Sequence, residues 1–441
     1  MVSSVVYVAW PIPTPPGRDF WLFSPPNAPI YQVAANTWNA AHPDPHDQMI
    51  IRLFQYQALE RRLVAAFTAD APVADLVETE SHAMARAFAG PIEDVGFVDL
   101  TDRLRAEGLF ETVNLPSFSL WSSKGRTFGL PHDVHPCLIG YRADIVEAAG
   151  IDVTQIETWD DFRRVLGPLI RDTDGDGRPD RYILNFWESN FDTIELLLRQ
   201  AGTDFFEPSG RPLINTEVNA RTLASLVSWI AGPDRFCVDA REFTAGGDRM
   251  RLEGTVVASI LPDWLAGTWK NNIPGLAGKV KLMKMPAWER GGRRTSVSGG
   301  TCMGIPKAAP DVERAWAMVK HLYLSPTVAE AHFRSTCIIS PVKTFWNLPV
   351  YHEPDPYFSG QKVGELYISE APNVPTRSSS PFLSLVIERL MSILVTLKAE
   401  AVARQEFGTT ALLPSARKLL ADAQLDLARR ADRNVFYTER K

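Results

Sequence analysis

Aromatic and carboxylate side chains stand at the ends of several predicted strands in this sequence. The groups are Trp10, Glu78-Thr79-Glu80, His132-Asp133, Trp187-Glu188, Asp263-Trp264 and Gly299-Gly300-Thr301. An aromatic ring offers an apolar face to the C–H groups of a sugar, and planar polar groups bond its hydroxyls. Their recurrence at successive strand ends favours a site for a polyhydroxylated ligand over isolated core or rim positions.

No residue pattern in the chain is typical of an enzyme. The G-x-S-x-G turn, the Walker A loop and the dinucleotide-binding fingerprint are all missing from the sequence. Glu78 and Glu80 could serve as the paired carboxylates of a glycosidase, but on one continuing strand they point the same way and do not flank a bond. We therefore predict a binding protein without catalytic residues, with a glycan-acting enzyme as the less favoured alternative.

A loop rich in aspartate matches the first nine positions of an EF-hand calcium loop. Its oxygen donors would be Asp172, Asp174, Asp176, the carbonyl group of Arg178, and Asp180. The twelfth position, which needs a bidentate Glu, is Ile183, and no second helix is predicted after it. The sequence indicates a candidate structural calcium site away from the strand ends, with a solvated Asp-Gly turn as the alternative. No other cofactor is expected.

The composition is typical of a globular protein, and the length is enough for the hydrophobic cores of roughly two to three domains. Of the 441 residues, 45% are hydrophobic, and the formal net charge is −6 with basic residues scattered among the acids. A nucleic acid or an anionic membrane would need a basic face, so neither is an expected partner. No apolar run reaches the length of about 18 residues that a membrane-spanning helix needs.

The first residues and the cysteines bear on the compartment. Met1-Val2-Ser3-Ser4 leads directly into an apolar run, without a basic region or a cleavage site. We expect either a cytoplasmic protein or a chain whose leader has been removed.

The four cysteines also bear on the compartment. They are Cys137, Cys237, Cys302 and Cys337, which form no CxxC motif and are predicted to be buried free thiols. A bridge between Cys302 and Cys337 is the alternative in an oxidising compartment.

Alternating strands and helices must position these groups. Strands are predicted over residues 5–10, 49–54 and 72–77, with helices over 29–41 and 57–68 between them. This β-α-β-α-β order implies a parallel sheet with helices on its faces. A Pro-rich stretch, residues 11–29, follows the first predicted strand and reads as an insertion.

The alternation resumes in the second half of the chain. The predicted elements include a helix over 159–171 capped by Thr158, strands over 255–261 and 279–285, and two long final helices over 382–404 and 412–431. We therefore predict an α/β protein with two open sheets. In such folds the ligand lies beyond the carboxyl ends of the strands.

Six segments, in order over about 300 residues, resemble the extracytoplasmic sugar-binding proteins of ABC importers, the group that includes maltose-binding protein. The segments are ANTWNAAHP, LVAAFTADAPVADLVETE, KGRTFGLPHDVHPCLIGYRADIVEAAGI, TWDDFRRVLGPLIRDTDGDGRPDRYIL, ASILPDWLAG and VSGGTCMGIPKAAPDVERAWAMVKHL. The resemblance implies a type II periplasmic-binding-protein fold, two α/β lobes that close by hinge motion on a ligand cleft between them. The first lobe would hold residues 1–133 and 303–345, and the second would hold 134–302 and 346–441.

The resemblance also assigns positions to the ligand site. Trp264 corresponds to the aromatic residue that stacks on sugar in many relatives, and Arg334 lies near a later chain crossing. The full set implied is Trp10, Glu78, Glu80, His132, Asp133, Trp187, Glu188, Asp263, Trp264, Gly299, Gly300, Thr301 and Arg334. The aromatic residue typical of the glycine turn at residues 299–302 is missing here.

The implied activity is capture of a mono- or oligosaccharide, or a derivative, by a monomer that delivers it to the membrane permease of an ABC importer. Such proteins work in the periplasm or another extracytoplasmic compartment, although neither a leader nor a lipid-attachment cysteine is seen in this chain. The alternative on the same fold is a polyamine or another small polar solute, since acids and aromatics are both plentiful. A phosphate ester would need clustered basic groups, and only Arg293-Arg294 and Arg334 offer them.

Overall fold

The computed structural model describes residues 16–69, 71–172, 174–177 and 179–434. The strand predicted over residues 5–10, the proposed rim residue Trp10 and the carbonyl group of Arg178 lie outside the described residues. The described part of the chain forms twelve strands: β1 (Arg18–Leu22), β2 (Met49–Leu53), β3 (Leu76–Glu80), β4 (Ser122–Ser123), β5 (Arg126–Thr127), β6 (Leu130–Pro131), β7 (Cys137–Arg142), β8 (Leu184–Asn185), β9 (Cys237–Val238), β10 (Ala258–Pro262), β11 (Val280–Lys284) and β12 (Thr301–Gly304).

The same residues form sixteen α-helices, which cover the sheets and close the second half of the molecule. They are α1 (Ala28–Ala41), α2 (Tyr56–Ala69), α3 (Ser81–Ala87), α4 (Thr101–Ala106), α5 (Leu109–Thr112), α6 (Ala143–Ala148), α7 (Trp159–Leu166), α8 (Phe191–Gln200), α9 (Glu217–Ile230), α10 (Ala245–Glu253), α11 (Asp263–Asn272), α12 (Val312–Tyr323), α13 (Pro326–Thr336), α14 (Val363–Glu370), α15 (Leu383–Arg404) and α16 (Thr409–Asp432).

The first sheet has the strand order β2-β1-β3-β12-β6. Strand β1 pairs in parallel with β2 and β3, as the β-α-β-α-β order predicts. Strand β12 runs antiparallel to both of its neighbours, β3 and β6. The sheet is therefore mixed, because a strand from distant sequence returns between two strands of the first part of the chain.

Strand β1 lies inside residues 11–29, where an insertion was predicted. That interpretation was wrong for the run RDFWL, which contains no proline and buries Phe20, Trp21 and Leu22. The prolines on both sides bound the strand rather than interrupt it, as expected for a residue that cannot donate to a sheet ladder. Alternate residues face opposite sides: Phe20 packs against helices α1 and α12, and Trp21 packs towards helix α2.

The second sheet has the order β10-β7-β11, with both outer strands antiparallel to β7. One face of β7, carrying Ile139 and Tyr141, packs into a cluster that includes residues of the long helices α15 and α16. The other face, carrying Leu138, packs towards helix α11. The two predicted C-terminal helices are confirmed and belong to the core of the second lobe.

Two element boundaries differ from prediction in ways that matter for the site. Helix α7 has the predicted cap, since the Thr158 hydroxyl accepts the N–H of Asp161 and the Asp161 carboxylate accepts the N–H of Thr158. It ends at Leu166 rather than at residue 171, because Gly167 and Pro168 follow. Strand β3 starts and ends later than predicted, so Glu78 lies inside the strand instead of after it.

Three chain segments connect the two lobes. Residues 132–136 join β6 to β7, and residues 285–300 join β11 to β12. The third segment follows helix α12, where the chain passes from Val328, in a cluster of the first lobe, to Val350, in a cluster of the second. Between them, Ile339 packs in the second-lobe cluster and Val342 in the first-lobe cluster. The lobe boundaries given above stay a prediction, and strand β12 of the first sheet already begins at Thr301.

The four cysteines are buried and free, which confirms the prediction of unbridged thiols. Burial raises the pKa of each thiol above its ordinary value, so none is activated as a nucleophile. Within the described ranges, no helix combines the length and apolar character needed to cross a membrane.

Candidate ligand-binding cleft

A cavity of about 810 Å³ opens between the two lobes. This volume falls in the range of about 300–1,000 Å³ that small-molecule sites usually occupy. Residues from the first lobe, the second lobe and the connecting segments all contribute to it. The lining includes Phe23, Glu80, His82, His132, Asp133, His135, Asp192, Glu195, Arg199, Phe243, Trp264, Gly299, Gly300, Thr301 and Arg377.

Seven of the predicted ligand residues line this cavity: Glu80, His132, Asp133, Trp264, Gly299, Gly300 and Thr301. Trp187 lines an adjoining hollow, which shares Phe243 and Trp264 with the main cavity. The fold therefore brings together residues that are more than 200 positions apart in the chain. Their contact with a ligand stays a prediction.

Glu78 does not line the cavity. It is fully buried in the first lobe, where one carboxylate oxygen accepts hydrogen bonds from Tyr31 (2.7 Å) and Tyr323 (2.9 Å). Burial raises the pKa of Glu78, while His132 and the tyrosine hydroxyls lower it. The predicted ligand role is therefore replaced by a structural one, because the partners that enclose this carboxylate come from distant helices.

Glu188 and Arg334 also lie away from the cavity. The carboxylate of Glu188 pairs with Lys398 of helix α15 at 2.5 Å. The guanidinium of Arg334 pairs with Glu330 (2.9 Å) and Glu353 (2.8 Å) on the surface of the molecule. Both side chains are satisfied by ion pairs, which corrects the prediction that they face the ligand.

Asp263 lies beneath the cavity rather than in its lining, and it joins a buried polar network. One of its oxygens lies 2.6 Å from Nδ1 of His135 and accepts the N–H of Trp264, and the other accepts the N–H of Ile339 at 3.0 Å. On its other side, Nε2 of His135 lies 3.0 Å from an oxygen of Asp133. The predicted ligand residue Asp263 thus supports Trp264 from below.

Asp133 and His135 carry opposite charges inside this network. Burial by itself lowers the pKa of His135, but the carboxylates of Asp133 and Asp263 raise it to about 10. Burial likewise raises the pKa of Asp133, but His135 and His132 hold it well below its usual range. The base of the cleft therefore carries a carboxylate–imidazolium–carboxylate group at neutral pH.

The second-lobe wall of the cleft is aromatic. The rings of Phe243 and Trp264 are parallel within 6°, with centroids 6.2 Å apart, and Trp187 meets Phe243 edge-on at 6.5 Å. Each indole N–H is already bonded, that of Trp264 to the Ser298 carbonyl and that of Trp187 to the Ser189 hydroxyl. The rings are therefore held in place and offer apolar faces to a ligand.

Phe243 is the unusual member of this wall. Its side chain is 58% exposed, and its backbone is left-handed with φ +60°. A bulky residue rarely adopts this conformation, which costs on the order of 1–2 kcal/mol. A strained, exposed phenylalanine beside two tryptophans is typical of a position selected for binding rather than for folding.

The cavity also contains charged groups of both signs. Arg199 is buried and pairs with Glu195 at 2.6 Å, and Arg377 donates to the Gly299 carbonyl at 2.7 Å. Glu80 and Asp192 approach from opposite lobes. Withdrawal from water, followed by the charges of Asp192 and Asp133, raises the pKa of Glu80 to about 8. These groups can accept and donate hydrogen bonds to hydroxyls of a neutral ligand.

Sequence reasoning missed several cavity residues. Asp192, Glu195 and Arg199 recur at spacings of three and four, which places them on one face of helix α8 soon after Trp187. That pattern could have identified them. Phe243 and Arg377 lie outside regular elements, and no local pattern marks them because they reach the cleft only through the tertiary fold.

Three of the five oxygen donors predicted in the aspartate loop lie close together, and Asp180 is not part of that cluster. Asp172, Asp174 and Asp176 are exposed and each places one carboxylate oxygen within 4.8 Å of the others. The Asp172 carboxylate also accepts the N–H groups of Gly175 (2.7 Å) and Gly177 (2.9 Å). These contacts would form in a solvated turn as well, so calcium stays a prediction at this loop.

Comparisons with known proteins agree with the fold. Residues 24–328 match the family model described as bacterial extracellular solute-binding protein, which is more than half of the chain. An arabinooligosaccharide-binding protein of Halalkalibacterium halodurans is 23% identical over 79% of this chain and 77% of its own length. A protein of the same name from Bacillus subtilis is 26% identical over 67% of this chain and 66% of its own length.

Among solved structures, the sugar-binding protein MalE from Xanthomonas citri superposes with a TM-score of 0.76 at 15% identity, covering 96% of this chain and all of that one. This likeness confirms the predicted fold of two α/β lobes. The sequence match over residues 24–328 includes every strand of the two larger sheets except β1, together with the first two connections between the lobes. The chain belongs to the family of bacterial extracellular solute-binding proteins.

Proposed function

We propose that the protein is a receptor that captures an oligosaccharide by closure of its cleft and delivers it, unchanged, to the permease of an ABC importer. The observation that carries this proposal is the aromatic wall formed by Trp187, Phe243 and Trp264, of which Phe243 and Trp264 line the interlobe cavity together with polar side chains. Apolar ring faces together with hydroxyl-bonding groups are what a sugar requires. Membership of an extracellular solute-binding family supports a site of action outside the cytoplasm.

A linear arabino-oligosaccharide is the first ligand to test. Both relatives matched by sequence carry this class of ligand in their names. The cavity volume of about 810 Å³ and the row of three rings fit a ligand of more than one sugar unit. The row would support successive rings of a chain rather than a single ring.

A polyamine is less well suited to the same cavity. Glu80, Asp133 and Asp192 would attract a polycation, but Arg199 and Arg377 line the same space. Each arginine would repel a multiply charged amine at close range, and little water is available to screen it. A neutral polyol suffers no such conflict, since its hydroxyls bond to both carboxylates and guanidinium groups.

Isothermal titration calorimetry with arabinotriose, maltotriose and spermidine tests the proposal. We expect saturable binding of a sugar with a Kd near or below about 1 µM, which corresponds to about 8 kcal/mol. Chromatography of the same sugar after prolonged incubation should show no cleavage products. Spermidine binding in place of sugar binding would contradict the ligand class, and new products would contradict the absence of catalysis.

Two tryptophan variants locate the site. Trp264→Ala should weaken sugar binding at least tenfold, because it removes a platform ring. Trp288→Ala is the matched control, since Trp288 is equally half-buried in the second lobe but stacks on Trp229 outside the cavity. Equal affinity of both variants would show that the ligand does not use the aromatic wall.

A further inference from the structure

One buried group ties all three connections between the lobes together. Asp133 and His135 lie in the first connection, residues 132–136. The oxygen of Asp133 that faces His135 also accepts the N–H of Thr301 (3.0 Å) and its hydroxyl (2.7 Å), at the end of the second connection. Asp263 accepts the N–H of Ile339 (3.0 Å), in the third connection. Each connection therefore has a polar contact with this group.

The two carboxylates belong to different sides of the cleft. Asp133 follows strand β6 of the first sheet and is anchored to strand β12 through Thr301. Asp263 is the first residue of helix α11 in the second lobe, and its neighbour Trp264 contributes one ring of the aromatic wall. His135 is the link between them, because its two ring nitrogens face one carboxylate each.

This geometry requires both ring nitrogens of His135 to donate. A neutral imidazole has one donor and one acceptor, and an acceptor nitrogen 2.6–3.0 Å from a carboxylate oxygen would be repelled. The side chains of all three residues are at most 5% exposed, so water does not take the place of either contact. The backbone at His135 is also left-handed, with φ +56°, which fixes the ring between its partners.

The base of the aromatic wall is packed against the same imidazole. Gly299 lies beside it with φ +92°, and a Cβ there would come within 3.0 Å of the His135 ring and 3.1 Å of the Trp264 indole nitrogen. The lack of a side chain at this position allows the imidazole and the indole to lie against the second connection. Movement of His135 would therefore be transmitted to Trp264 through Gly299 and through Asp263, which contacts both residues.

We propose that His135 is a positioning residue whose cationic ring couples the first lobe to the aromatic wall of the second and so sets the angle between the lobes. Its two ion pairs form a pivot at the base of the cleft, around which closure takes place. The coupling to ligand binding rests on the proposed function, whereas the effect on the interlobe angle does not.

The protonation state can be tested on the unaltered protein. Histidine-selective ¹⁵N labelling and two-bond ¹H–¹⁵N spectra distinguish imidazolium from neutral rings, and the chain has only 8 histidines. We expect one histidine to keep the imidazolium pattern at pH 8.5 and to lose it in His135→Asn. A spectrum in which all rings are neutral at pH 8.5 would overturn the proposal without any question of folding.

The interlobe angle is tested with spin labels on exposed positions of each lobe. Val33→Cys on helix α1 and Val395→Cys on helix α15 suit this, because both side chains are about two-thirds exposed and the natural cysteines are buried. His135→Asn keeps a residue that tolerates a left-handed backbone, but asparagine is uncharged and has a single side-chain nitrogen, so it cannot replace an imidazolium that faces one carboxylate with each of two nitrogens. In the ligand-free protein we expect the distance distribution to shift or broaden by several ångströms.

His352→Asn is the matched control, since His352 pairs with Glu365 at 2.9 Å on the surface of the molecule. It should leave the distance distribution unchanged. If His135→Asn also leaves it unchanged in folded protein, His135 has a local structural role and the proposal fails. With arabinotriose as probe, His135→Asn should bind at least tenfold more weakly than His352→Asn. Absence of binding by the unaltered protein would count against the proposed function alone, because the spectra and distances need no ligand.

Discussion

The phenyl ring of Phe243 and the indole of Trp264 lie parallel within 6° although they are 21 positions apart in the chain. Phe243 precedes the Thr244 cap of helix α10, and Trp264 lies in the first turn of helix α11. Neither ring is arranged by a local repeat, so the parallel faces result from the tertiary fold, which brings the residue before helix α10 next to the first turn of helix α11. The arrangement gives the cleft a continuous apolar surface, and its separate contributions to binding and to stability can be measured.

Replacement of Phe243 by glycine should separate binding from folding. Glycine adopts the left-handed backbone without strain, and the lost phenyl ring is mostly exposed, so the free energy of unfolding should change by less than about 1 kcal/mol. Affinity for the sugar should fall by about tenfold, because one stacking ring is lost. Thermal melting and calorimetry on the same preparation check this. A large loss of stability would show that Phe243 is needed for folding.

Replacement of Gly299 by alanine should damage the cleft more than its backbone angle alone explains. The added methyl group would lie 3.0 Å from the ring of His135 and 3.1 Å from the indole nitrogen of Trp264, so these rings would have to shift to make room for it. Gly150→Ala is the matched control, because Gly150 also has a positive φ (+67°) but no atom lies within 4 Å of the added carbon. Both variants should lose about 1 kcal/mol of stability from backbone strain. Only Gly299→Ala should also lose sugar affinity, and equal affinities would contradict the packing described.

Sugar affinity should depend on pH through Glu80. Its pKa of about 8 lies above its ordinary value, so the folded protein holds a proton there that the unfolded chain has already lost at neutral pH. As the pH rises through 8, ionised Glu80 is repelled by the negative charges of Asp192 across the cleft and of Asp133. Closure should then become less favourable, and affinity should fall between pH 6 and pH 9.

Glu80→Gln tests this dependence, since glutamine resembles the protonated carboxyl group in shape and cannot ionise. Calorimetry at the two pH values should give nearly equal affinities for Glu80→Gln and unequal ones for the unaltered protein. The same proton makes stability decrease with pH between about 4.5 and 8, because the folded state binds more protons than the unfolded one. A parallel pH dependence in both proteins would assign the effect to another group.

Calcium should stabilise the protein if the aspartate loop binds it. At a free calcium concentration of 100 times the Kd, binding to the folded state alone contributes about 2.7 kcal/mol. The melting temperature should therefore rise by a few degrees with calcium and fall back with chelator. Asp174→Ala should abolish the rise, whereas Asp102→Ala, an exposed acid on another surface, should not. An unchanged melting curve with chelator would leave only the solvated turn.

The sequence predicted the helices and the class of fold well, because apolar periodicity is a local property. The cap at Thr158 and the long final helices follow from residues a few positions apart. Strand β1 was missed because flanking prolines masked its short apolar run. Strand β12 pairs between β3 and β6, and no local pattern could show that a segment from residue 301 onward inserts there.

The positions of polar and aromatic residues at strand ends predicted the location of the site, but not the role of every residue there. Trp264 and Glu80 were found because each comes directly after or at the end of a strand. Glu78 looked equivalent to Glu80 in sequence, yet Tyr31 and Tyr323 enclose it inside the first lobe. Distant partners likewise decide the positions of Glu188 and Arg334. Whether a polar residue faces solvent, ligand or another side chain is set by contacts that only the folded chain provides.

The interleaving of the two lobes along the chain has a consequence for synthesis. The first sheet lacks its strand β12 until residue 304 has been made, and the second lobe lacks helix α16 until residue 432 has been made. Each half must therefore close a long loop of chain before its core is complete. During synthesis the first half gains its last strand well before the second half gains its last helix, so the two cores become complete one after the other.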